Sequence, residues 1–291
     1  MKFLSFYSNN EPRLGVQLDS GVLDLQRLNN AELPGTMEAL LNGGEEALKR
    51  IVEAVAAAEK NHLLDLAEIE YAPVVSNPEK ILGVGLNYRK HVLESTTPRP
   101  IPEYPVVFAK FKNSLVGHKG KIILNRRSKE NDYEAEMAIV IGKRGAYIPK
   151  EEAMDHVFGY TLANDVSSRD LQYLSYNQWG MGKTCDTYCP LGPCLVTKDE
   201  LDGNEIHMIG KLNGEVRQDT NTNDMIFSVE DLVSFCSDLC TLEPGDVILT
   251  GTPSGVVHWM PKEEQEWLKP GDVFEVIAEG IGTLSNEVVA G

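Results

Sequence analysis

The sequence predicts an α+β fold in which β structure dominates. Between residue 78 and the end of the chain, many short apolar segments are separated by Gly, Pro and Asn, which is typical of strands joined by turns. Few segments have helical periodicity, and "VEDLVSFCSDL" is the clearest of them. Strands do not alternate regularly with helices of about 10 to 15 residues, which disfavours a doubly wound parallel sheet.

The first residues of the chain predict a separate small unit. The segments "FLSFY" and "LGVQLDSGVLDL" alternate like strands around a Ser-Gly turn. A helical stretch follows, "TMEALLNGGEEALKRIVEAVAAAEK", with a break at Gly43 and Gly44. The prolines of "YAPVVSNPEK" then indicate a linker. We therefore predict a small N-terminal α+β domain at residues 1–73 and a larger domain at residues 74–291.

Length and charge exclude several classes of protein. A chain of 291 residues can bury a sizeable core in one large domain or in a large and a small one. The net charge of -17 opposes a nucleic-acid backbone or an anionic membrane surface as partner. No run approaches the ~18 apolar residues of a membrane span. The five cysteines are an odd number and favour reduced thiols. We expect a cytoplasmic protein.

Acidic residues occupy every second position before a continuous apolar run in "NDYEAEMAIVIGK", residues 131–143. Side chains of a strand point alternately to opposite faces, so Glu134 and Glu136 share one face and Asp132 is a candidate third member. The alternate residues, from Tyr133 to Met137, are expected to pack inward. Taken alone, this pattern also fits the solvated face of an edge strand.

A further acidic residue, Asp165, follows an apolar run in "VFGYTLANDVSSRD". If this strand end lies beside the first one, three carboxylates converge. Like charges a few Å apart cannot all remain ionised without a cation. An all-oxygen site suits a hard ion, so the pattern favours Mg²⁺ or Mn²⁺.

Two more segments carry residues suited to proton transfer. In "LNYRKHVLES", His91 and Glu94 are three residues apart, which allows the carboxylate to orient the imidazole within one helical turn. Such a pair can accept a proton from water near neutral pH, although an exposed pair on a surface helix has the same spacing. Lys183 in "QWGMGKTCD" becomes a candidate for stabilising an oxyanion if it lies beside a metal.

Two motifs do not lead to a function by themselves. The segment "GVGLNY", which begins at Gly83, lacks the third glycine and the later acidic residue of a dinucleotide-binding fingerprint. The segment "GTPSG" at Gly251 has proline where a hydrolase nucleophile elbow has serine. A tight turn is the simpler interpretation of "GVGLNY", and "GTPSG" does not support a serine hydrolase.

The order of several motifs resembles the fumarylacetoacetate hydrolase superfamily over residues 78 to 289. The motifs are "GLNYRKHVLES", "DYEAEMAIVIGK", "GYTLANDVSSRDLQ", "GKTCDTYCPLGP", "DMIFSVEDLV", "LEPGDVILTGTPSGV" and "GIGTLSNEV". The resemblance implies a mixed β-sandwich roll, a small N-terminal domain and a homodimer. It also implies site residues in three groups. These are a metal set of Glu134, Glu136 and Asp165, a catalytic set of His91, Glu94 and Lys183, and a substrate-binding set of Arg169, Gln172 and Thr252. Asp132 is not part of the implied metal set.

The superfamily branch that these motifs most resemble acts on acylpyruvates and 2,4-diketo-3-deoxy sugar acids. We therefore expect an Mg²⁺- or Mn²⁺-dependent hydrolase that cleaves a carbon–carbon bond in a 2,4-dioxo acid and releases pyruvate. Two alternatives remain open. One is an oxaloacetate decarboxylase or tautomerase, or an isomerase of an unsaturated 2-oxo dicarboxylic acid, that uses the same residues. The other is a non-catalytic metabolite-binding member. The segment "VHWMPKEEQEW", with Trp259 and Trp267, replaces the glycine-rich stretch of many relatives and is expected to border the pocket.

Overall fold

The computed structural model describes residues 1–59, 62–94, 100–176 and 178–291. The last residue of the predicted N-terminal helical stretch, Lys60, and the last residue of the "GLNYRKHVLES" motif, Ser95, lie outside these ranges. The described part of the chain has a mixed α+β fold that is mainly β, as the sequence predicts.

The strands are short, as expected from the frequent Gly, Pro and Asn. They are β1 (Lys2–Ser8), β2 (Glu11–Leu18), β3 (Gly21–Asp24), β4 (Leu63–Leu64), β5 (Ile81–Gly85), β6 (Val106–Lys110), β7 (Leu115–Val116), β8 (Lys121–Ile123), β9 (Asn131–Asp132), β10 (Ala135–Ile141), β11 (Val157–Asn164), β12 (Ser167–Ser168), β13 (Cys189–Thr197), β14 (His207–Leu212), β15 (Glu215–Asn221), β16 (Val247–Leu249), β17 (Val273–Ala278) and β18 (Gly282–Val289).

The α-helices are α1 (Met37–Ala56), α2 (Arg89–Glu94), α3 (Ala153–His156), α4 (Arg169–Gln172), α5 (Gly180–Lys183) and α6 (Val229–Leu239). Helix α1 is kinked at Gly44, where the backbone leaves the helical region, in agreement with the predicted break. Helix α6 begins with a capping box, in which Ser228 and Asp231 each accept a hydrogen bond from the other's backbone N–H. No helix in the described ranges is long and apolar enough to cross a membrane.

Two sheets form most of the fold. The larger has the strand order β4-β3-β2-β1-β13-β11-β10-β16-β5-β6, with β7 paired to β13, and the smaller has the order β15-β14-β17-β18-β8. A short ladder joins β9 and β12. Three of the described strand pairs are parallel, β7–β13, β5–β16 and β8–β18, and the others are antiparallel. The sheets formed by the described residues are mainly antiparallel, in agreement with the sequence pattern that disfavours a doubly wound parallel sheet.

Both faces of the larger sheet are covered. Along β10, Met137 and Ile139 join a core shared with the smaller sheet, while Ala138 and Val140 join a second core that includes residues of α1. This alternation follows from the two-residue period of a strand, and burial on both faces explains the continuous apolar run. The site described below lies where β10 begins, at one end of this doubly covered strand.

The predicted domain boundary between residues 73 and 74 stays a prediction. Strand β1, from the predicted N-terminal domain, pairs antiparallel with β13, and Phe3 lies opposite Leu195. Strands from both sides of the boundary therefore belong to one sheet.

Candidate metal centre and active site

Three buried carboxylates converge where β10 begins and β11 ends. Strands β10 and β11 are antiparallel neighbours, and the backbone N–H of Asp165 donates to the carbonyl oxygen of Glu134 over 2.9 Å. One carboxylate oxygen from each of Glu134, Glu136 and Asp165 lies within 4.8 Å of the other two. The residues between the two glutamates and beside them, Tyr133, Ala135 and Met137 among them, pack into the core as expected. The structure thus brings the predicted carboxylate set together.

The two glutamates have opposite pKa shifts. Burial raises the pKa of Glu136 well above its usual value, and the charges of Asp165 and Glu134 raise it further. Burial also acts to raise the pKa of Glu134, but the cations of Lys183 and Arg169 outweigh it and lower that pKa to about 2. Glu134 is therefore a compensated carboxylate, whereas Glu136 lacks a neighbouring cation strong enough to offset its burial.

Lys183 is the predicted lysine, and it lies directly against the carboxylates. Its Nζ donates to Glu134 Oε2 over 2.6 Å and to Asp165 Oδ2 over 2.7 Å. Burial acts to lower the pKa of Lys183, but Asp165 and Glu134 together raise it above its usual value. The side chain is therefore an ammonium group near neutral pH, suited to donating a hydrogen bond to an oxygen that carries negative charge.

Arg169 is buried and donates mainly to protein acceptors. Its Nε donates to Asp132 Oδ2 over 2.9 Å, its Nη2 to Glu134 Oε1 over 2.6 Å and its Nη1 to Gln172 Oε1 over 3.1 Å. Since a guanidinium only donates, the side-chain carbonyl of Gln172 faces Arg169, and this contact fixes the direction of the Gln172 amide nitrogen. Arg169 lines the cleft, and its donors hold the side chains of the site together.

Asp132 does not join the set of Glu134, Glu136 and Asp165. The suggestion that it is a third member of the face shared by Glu134 and Glu136 is therefore wrong. It lies on β9 and accepts hydrogen bonds from Arg169 and from the backbone N–H groups of Val257 (2.9 Å) and His258 (3.0 Å). Asp132 therefore fixes both Arg169 and the loop that follows "GTPSGV". Strand alternation predicted a shared face correctly, but it could not show that Arg169 engages Asp132.

The His91–Glu94 pair is formed, with His91 buried and Glu94 partly buried. Nδ1 of His91 lies 2.6 Å from Glu94 Oε1, and the other oxygen of Glu94 accepts from the backbone N–H of Gly255 over 2.9 Å. His91 is 6% exposed, so the interpretation as a solvated surface pair does not apply. Because Glu94 holds Nδ1, Nε2 is the ring nitrogen positioned for proton transfer in the cleft that His91 lines.

These side chains line one cleft that is partly open to solvent. Its walls include His91, Glu134, Glu136, Arg169, Gln172, Lys183, Thr252, Phe108, Tyr173, Trp179 and Trp259. The Thr252 hydroxyl donates to the carbonyl of Ala135 over 3.1 Å and accepts from Gln218 over 2.8 Å. All nine predicted site residues therefore lie in the cleft or in hydrogen-bonding contact with a residue that lines it.

The loop after "GTPSGV" borders the cleft through only one of its two tryptophans. Trp259 lines the cleft, and its ring centroid is 6.5 Å from that of His91. Trp267 instead packs against the core and lines a separate hollow with Arg217. The expectation that this loop borders the pocket is confirmed for Trp259.

Sequence reasoning missed Lys110, which is as buried as the carboxylates. Its Nζ donates to Asp165 Oδ1 over 2.5 Å and to the backbone carbonyl of Lys183 over 2.5 Å. The available signal was a lysine at the end of the apolar strand "VVFAK", since a buried lysine requires acidic partners. Phe108 and Trp179 were also missed, because an aromatic residue in a sequence is more often part of the core than of a site.

The carboxylates fit a divalent cation. Glu134, Glu136 and Asp165 offer only oxygen donors, which is the ligand type that Mg²⁺ and Mn²⁺ prefer. Burial raises the pKa of Glu136, the charges of Asp165 and Glu134 raise it further, and a cation bound among the three would offset both effects. These three residues could therefore hold the metal, with Lys183 and Arg169 beside it.

The fold and this site define the class of protein. A model of the fumarylacetoacetate hydrolase C-terminal family matches residues 80–289, and the chain belongs to this family. The expected superfamily membership is confirmed.

Two curated relatives match nearly the whole chain. An oxaloacetate tautomerase of Xenopus laevis, described as mitochondrial, is 42% identical over 295 residues that cover 99% of this chain and 90% of the relative. An oxaloacetate tautomerase of Bacillus subtilis is 36% identical over 304 residues that cover 99% of this chain and 100% of the relative.

Solved structures of the superfamily have the same fold over the full chain. A maleylpyruvate hydrolase from Sphingobium sp. SYK-6, determined with manganese(II) and pyruvate, has a TM-score of 0.80 and 28% identity, with 100% of both chains covered. A fumarylacetoacetate hydrolase from Exiguobacterium antarcticum has a TM-score of 0.80 and 32% identity, again with 100% of both chains covered.

Proposed function

We propose that this protein is a divalent-metal-dependent tautomerase that interconverts the enol and keto forms of oxaloacetate. The observation that carries the proposal is the similarity to two oxaloacetate tautomerases over at least nine-tenths of each chain. The buried carboxylate set and the His91–Glu94 pair supply the groups that such a reaction requires. The alternative reaction on this site is thus better supported than the carbon–carbon hydrolase that the motifs first suggested.

Glu134, Glu136 and Asp165 would hold Mg²⁺ or Mn²⁺. When bound, such a cation draws electron density from the 2-oxo oxygen of a 2-oxo acid and makes the protons on C3 more acidic. Every further requirement falls on the protein's own side chains.

Tautomerisation moves one proton between carbon and oxygen. In the keto-to-enol direction, His91 Nε2 accepts a proton from C3, the C3 electron pair forms the C2–C3 double bond, and the carbonyl oxygen receives a proton from the Lys183 ammonium. The enol-to-keto direction reverses these transfers, so no atom is gained or lost. Glu94 keeps the imidazole in one tautomer and orientation, as a carboxylate does for a histidine base.

The other cleft residues bind the anionic substrate. Gln172 directs its amide nitrogen away from Arg169, where it is available to a substrate carboxylate, and Thr252 lies on the same wall. The charge of Arg169 favours a dicarboxylate close by. A small 2-oxo dicarboxylic acid is therefore the proposed partner, and nucleic acid is not. A homodimer and a cytoplasmic location also remain proposals for this chain, while the Xenopus relative is described as mitochondrial.

A second candidate reaction is hydrolysis of a 2,4-dioxo acid. It is favoured by the structural similarity to a maleylpyruvate hydrolase that binds manganese and pyruvate. In that reaction His91 would deprotonate water for attack on the distal carbonyl, and Lys183 would stabilise the oxyanion. Decarboxylation of oxaloacetate is a third outcome that requires no attacking water.

A substrate panel separates these reactions. Enol oxaloacetate and an acylpyruvate are each incubated with purified protein and Mg²⁺ or Mn²⁺, and ultraviolet absorbance of the enol and released pyruvate are measured together. We expect rapid loss of the oxaloacetate enol with little pyruvate from either compound. Pyruvate release from the acylpyruvate as the dominant reaction would overturn the tautomerase proposal and support the hydrolase.

A further inference from the structure

Strand β6 contributes two residues to the surroundings of Lys183. Phe108 and Lys110 are two positions apart on β6, so both side chains project from the same face of the strand. Strand β6 is an end strand of the larger sheet and pairs with β5. Neither residue belongs to the metal set, the proton-transfer pair or the substrate-binding set.

Lys110 joins a carboxylate to the backbone of the helix that carries Lys183. The Lys110 side chain has no solvent exposure, and its Nζ lies 2.5 Å from both Asp165 Oδ1 and the Lys183 carbonyl oxygen. The Lys183 ammonium binds the other oxygen of Asp165 over 2.7 Å. The buried Lys110 ammonium thus links Asp165 to the backbone of Lys183. The Lys183 ammonium links the same two residues a second time, because it binds the other oxygen of Asp165.

Phe108 contacts Lys183 at the other end of its side chain. Lys183 Nζ lies 5.3 Å from the centroid of the Phe108 ring, within the range of a cation–π interaction, and this ring packs edge-on against Trp179 with centroids 5.9 Å apart. The ring therefore lies beside the ammonium and limits the positions it can adopt.

The glycines of "GVGLNY" make room for these aromatic rings. A Cβ atom on Gly83 would lie 2.3 Å from the Phe108 ring, and one on Gly85 would lie 2.3 Å from the Trp179 ring. Real Cβ atoms do not approach other atoms so closely, so β5 needs glycine at both positions for the rings to pack. This motif, which failed as a dinucleotide fingerprint, has a packing role beside the active site.

We propose that Lys110 and Phe108 are positioning residues for Lys183. Lys110 acts on its backbone carbonyl and Phe108 acts on its ammonium, so that the ammonium points at the substrate oxygen in a single arrangement. The catalytic consequence rests on the proposed proton-transfer role of Lys183. A displacement of about 1 Å at such a group can cost about 10²-fold in rate, so the loss on substitution should be of that order.

The kinetic test is a double-mutant cycle with Lys110→Met and Lys183→Met, assayed as enol oxaloacetate loss at saturating Mg²⁺. If Lys110 acts through Lys183, Lys110→Met lowers kcat by about 10²-fold with KM changed by less than about threefold. When Lys183 is already replaced by Met, adding Lys110→Met should lower kcat further by less than about threefold. Lys112→Met is the matched control, because Lys112 is exposed and two residues away, and it should match the original protein. Full additivity, or unchanged kcat in Lys110→Met, would overturn the proposal.

A second test measures the chemical accessibility of Lys183 and requires no substrate. It uses two variants, so it does not depend on the folding of either one alone. Metal-free protein is labelled briefly with acetic anhydride, and the peptides containing Lys183 and Lys112 are quantified by mass spectrometry. In Lys110→Met and in Phe108→Leu we expect labelling of Lys183 to rise several-fold while labelling of Lys112 stays constant. Unchanged Lys183 labelling in a folded variant would contradict the positioning role. Loss of activity in Lys183→Met tests the proposed function separately.

Discussion

Replacement of Glu136 by glutamine separates the metal-binding role of the carboxylates from a structural one. Two carboxylate charges within 4.8 Å of each other repel by about 3.5 kcal/mol or more at an effective dielectric constant of about 20. The raised pKa of Glu136 and the nearby Lys183 ammonium already relieve part of this. We therefore expect metal-free Glu136→Gln to be more stable than the original protein by about 1 kcal/mol, or about 2 °C in Tm for a chain of this length.

Metal should reverse the order of stability. A ligand at 100 times its Kd stabilises the native state by about 2.7 kcal/mol, which corresponds to about 4 °C here. The Tm of the original protein should rise by this amount on addition of Mg²⁺, whereas the Tm of Glu136→Gln should rise little. The variant should also lose nearly all turnover. Glu263→Gln, an exposed substitution of the same type, is the control and should behave as the original protein. Full activity together with a normal Mg²⁺ shift in Glu136→Gln would refute the reasoning.

Three further predictions concern other parts of the protein. His91→Asn should lower the rate of tautomerisation by about 10²-fold to 10⁴-fold, because the variant loses the proton acceptor. The Mg²⁺-dependent shift in Tm should be retained, because His91 is not a metal ligand. Loss of that shift together with activity would argue against this role. Burial, with the neighbouring Lys119 charge, lowers the pKa of His118 to about 4, so the unfolded chain binds a proton first as pH falls from about 6.5. The free energy of unfolding should therefore fall between about pH 6.5 and pH 4, and this fall should be about 1 kcal/mol larger in the original protein than in His118→Asn, after discounting for partial exposure. If chemical denaturation gives both proteins the same fall over that range, this prediction is wrong. In a Trp179→Phe background, which removes the other tryptophan that lines the cleft, oxalate binding should change the fluorescence when Trp267 is also replaced by Phe, but much less when Trp259 is replaced by Phe, because Trp259 lines the cleft and Trp267 does not. Equal signals in the two double variants would exclude this loop from the site.

The carboxylate set was predictable because its signals are local. Alternation along a strand placed Glu134 and Glu136 on one face, and the end of an apolar run identified Asp165. The short interval between His91 and Glu94 likewise indicated a contact within one helical turn, which the structure shows. In these cases the residues that cooperate lie on one element or at the ends of two apolar runs.

The contacts that support the site depend on distant parts of the chain. Lys110 and Asp165 are 55 residues apart, and Asp132 meets the backbone of Val257 across 125 residues. No periodicity connects such pairs, because the order of strands in the sheet decides them. The glycines Gly83 and Gly85 were visible in the sequence, but their purpose depends on rings that only the folded chain brings close.

Deuterium exchange at C3 of oxaloacetate tests the central claim most directly. Oxaloacetate in D₂O with Mg²⁺ is followed by NMR with the original protein, with His91→Asn and without protein, and C3–H signals and pyruvate are measured in the same spectra. A tautomerase that moves a C3 proton through His91 should accelerate loss of the C3–H signal far above the rate without protein, with pyruvate formed much more slowly, and His91→Asn should remove most of the acceleration. Exchange at the uncatalysed rate, or pyruvate formation that keeps pace with it, would contradict the proposed reaction.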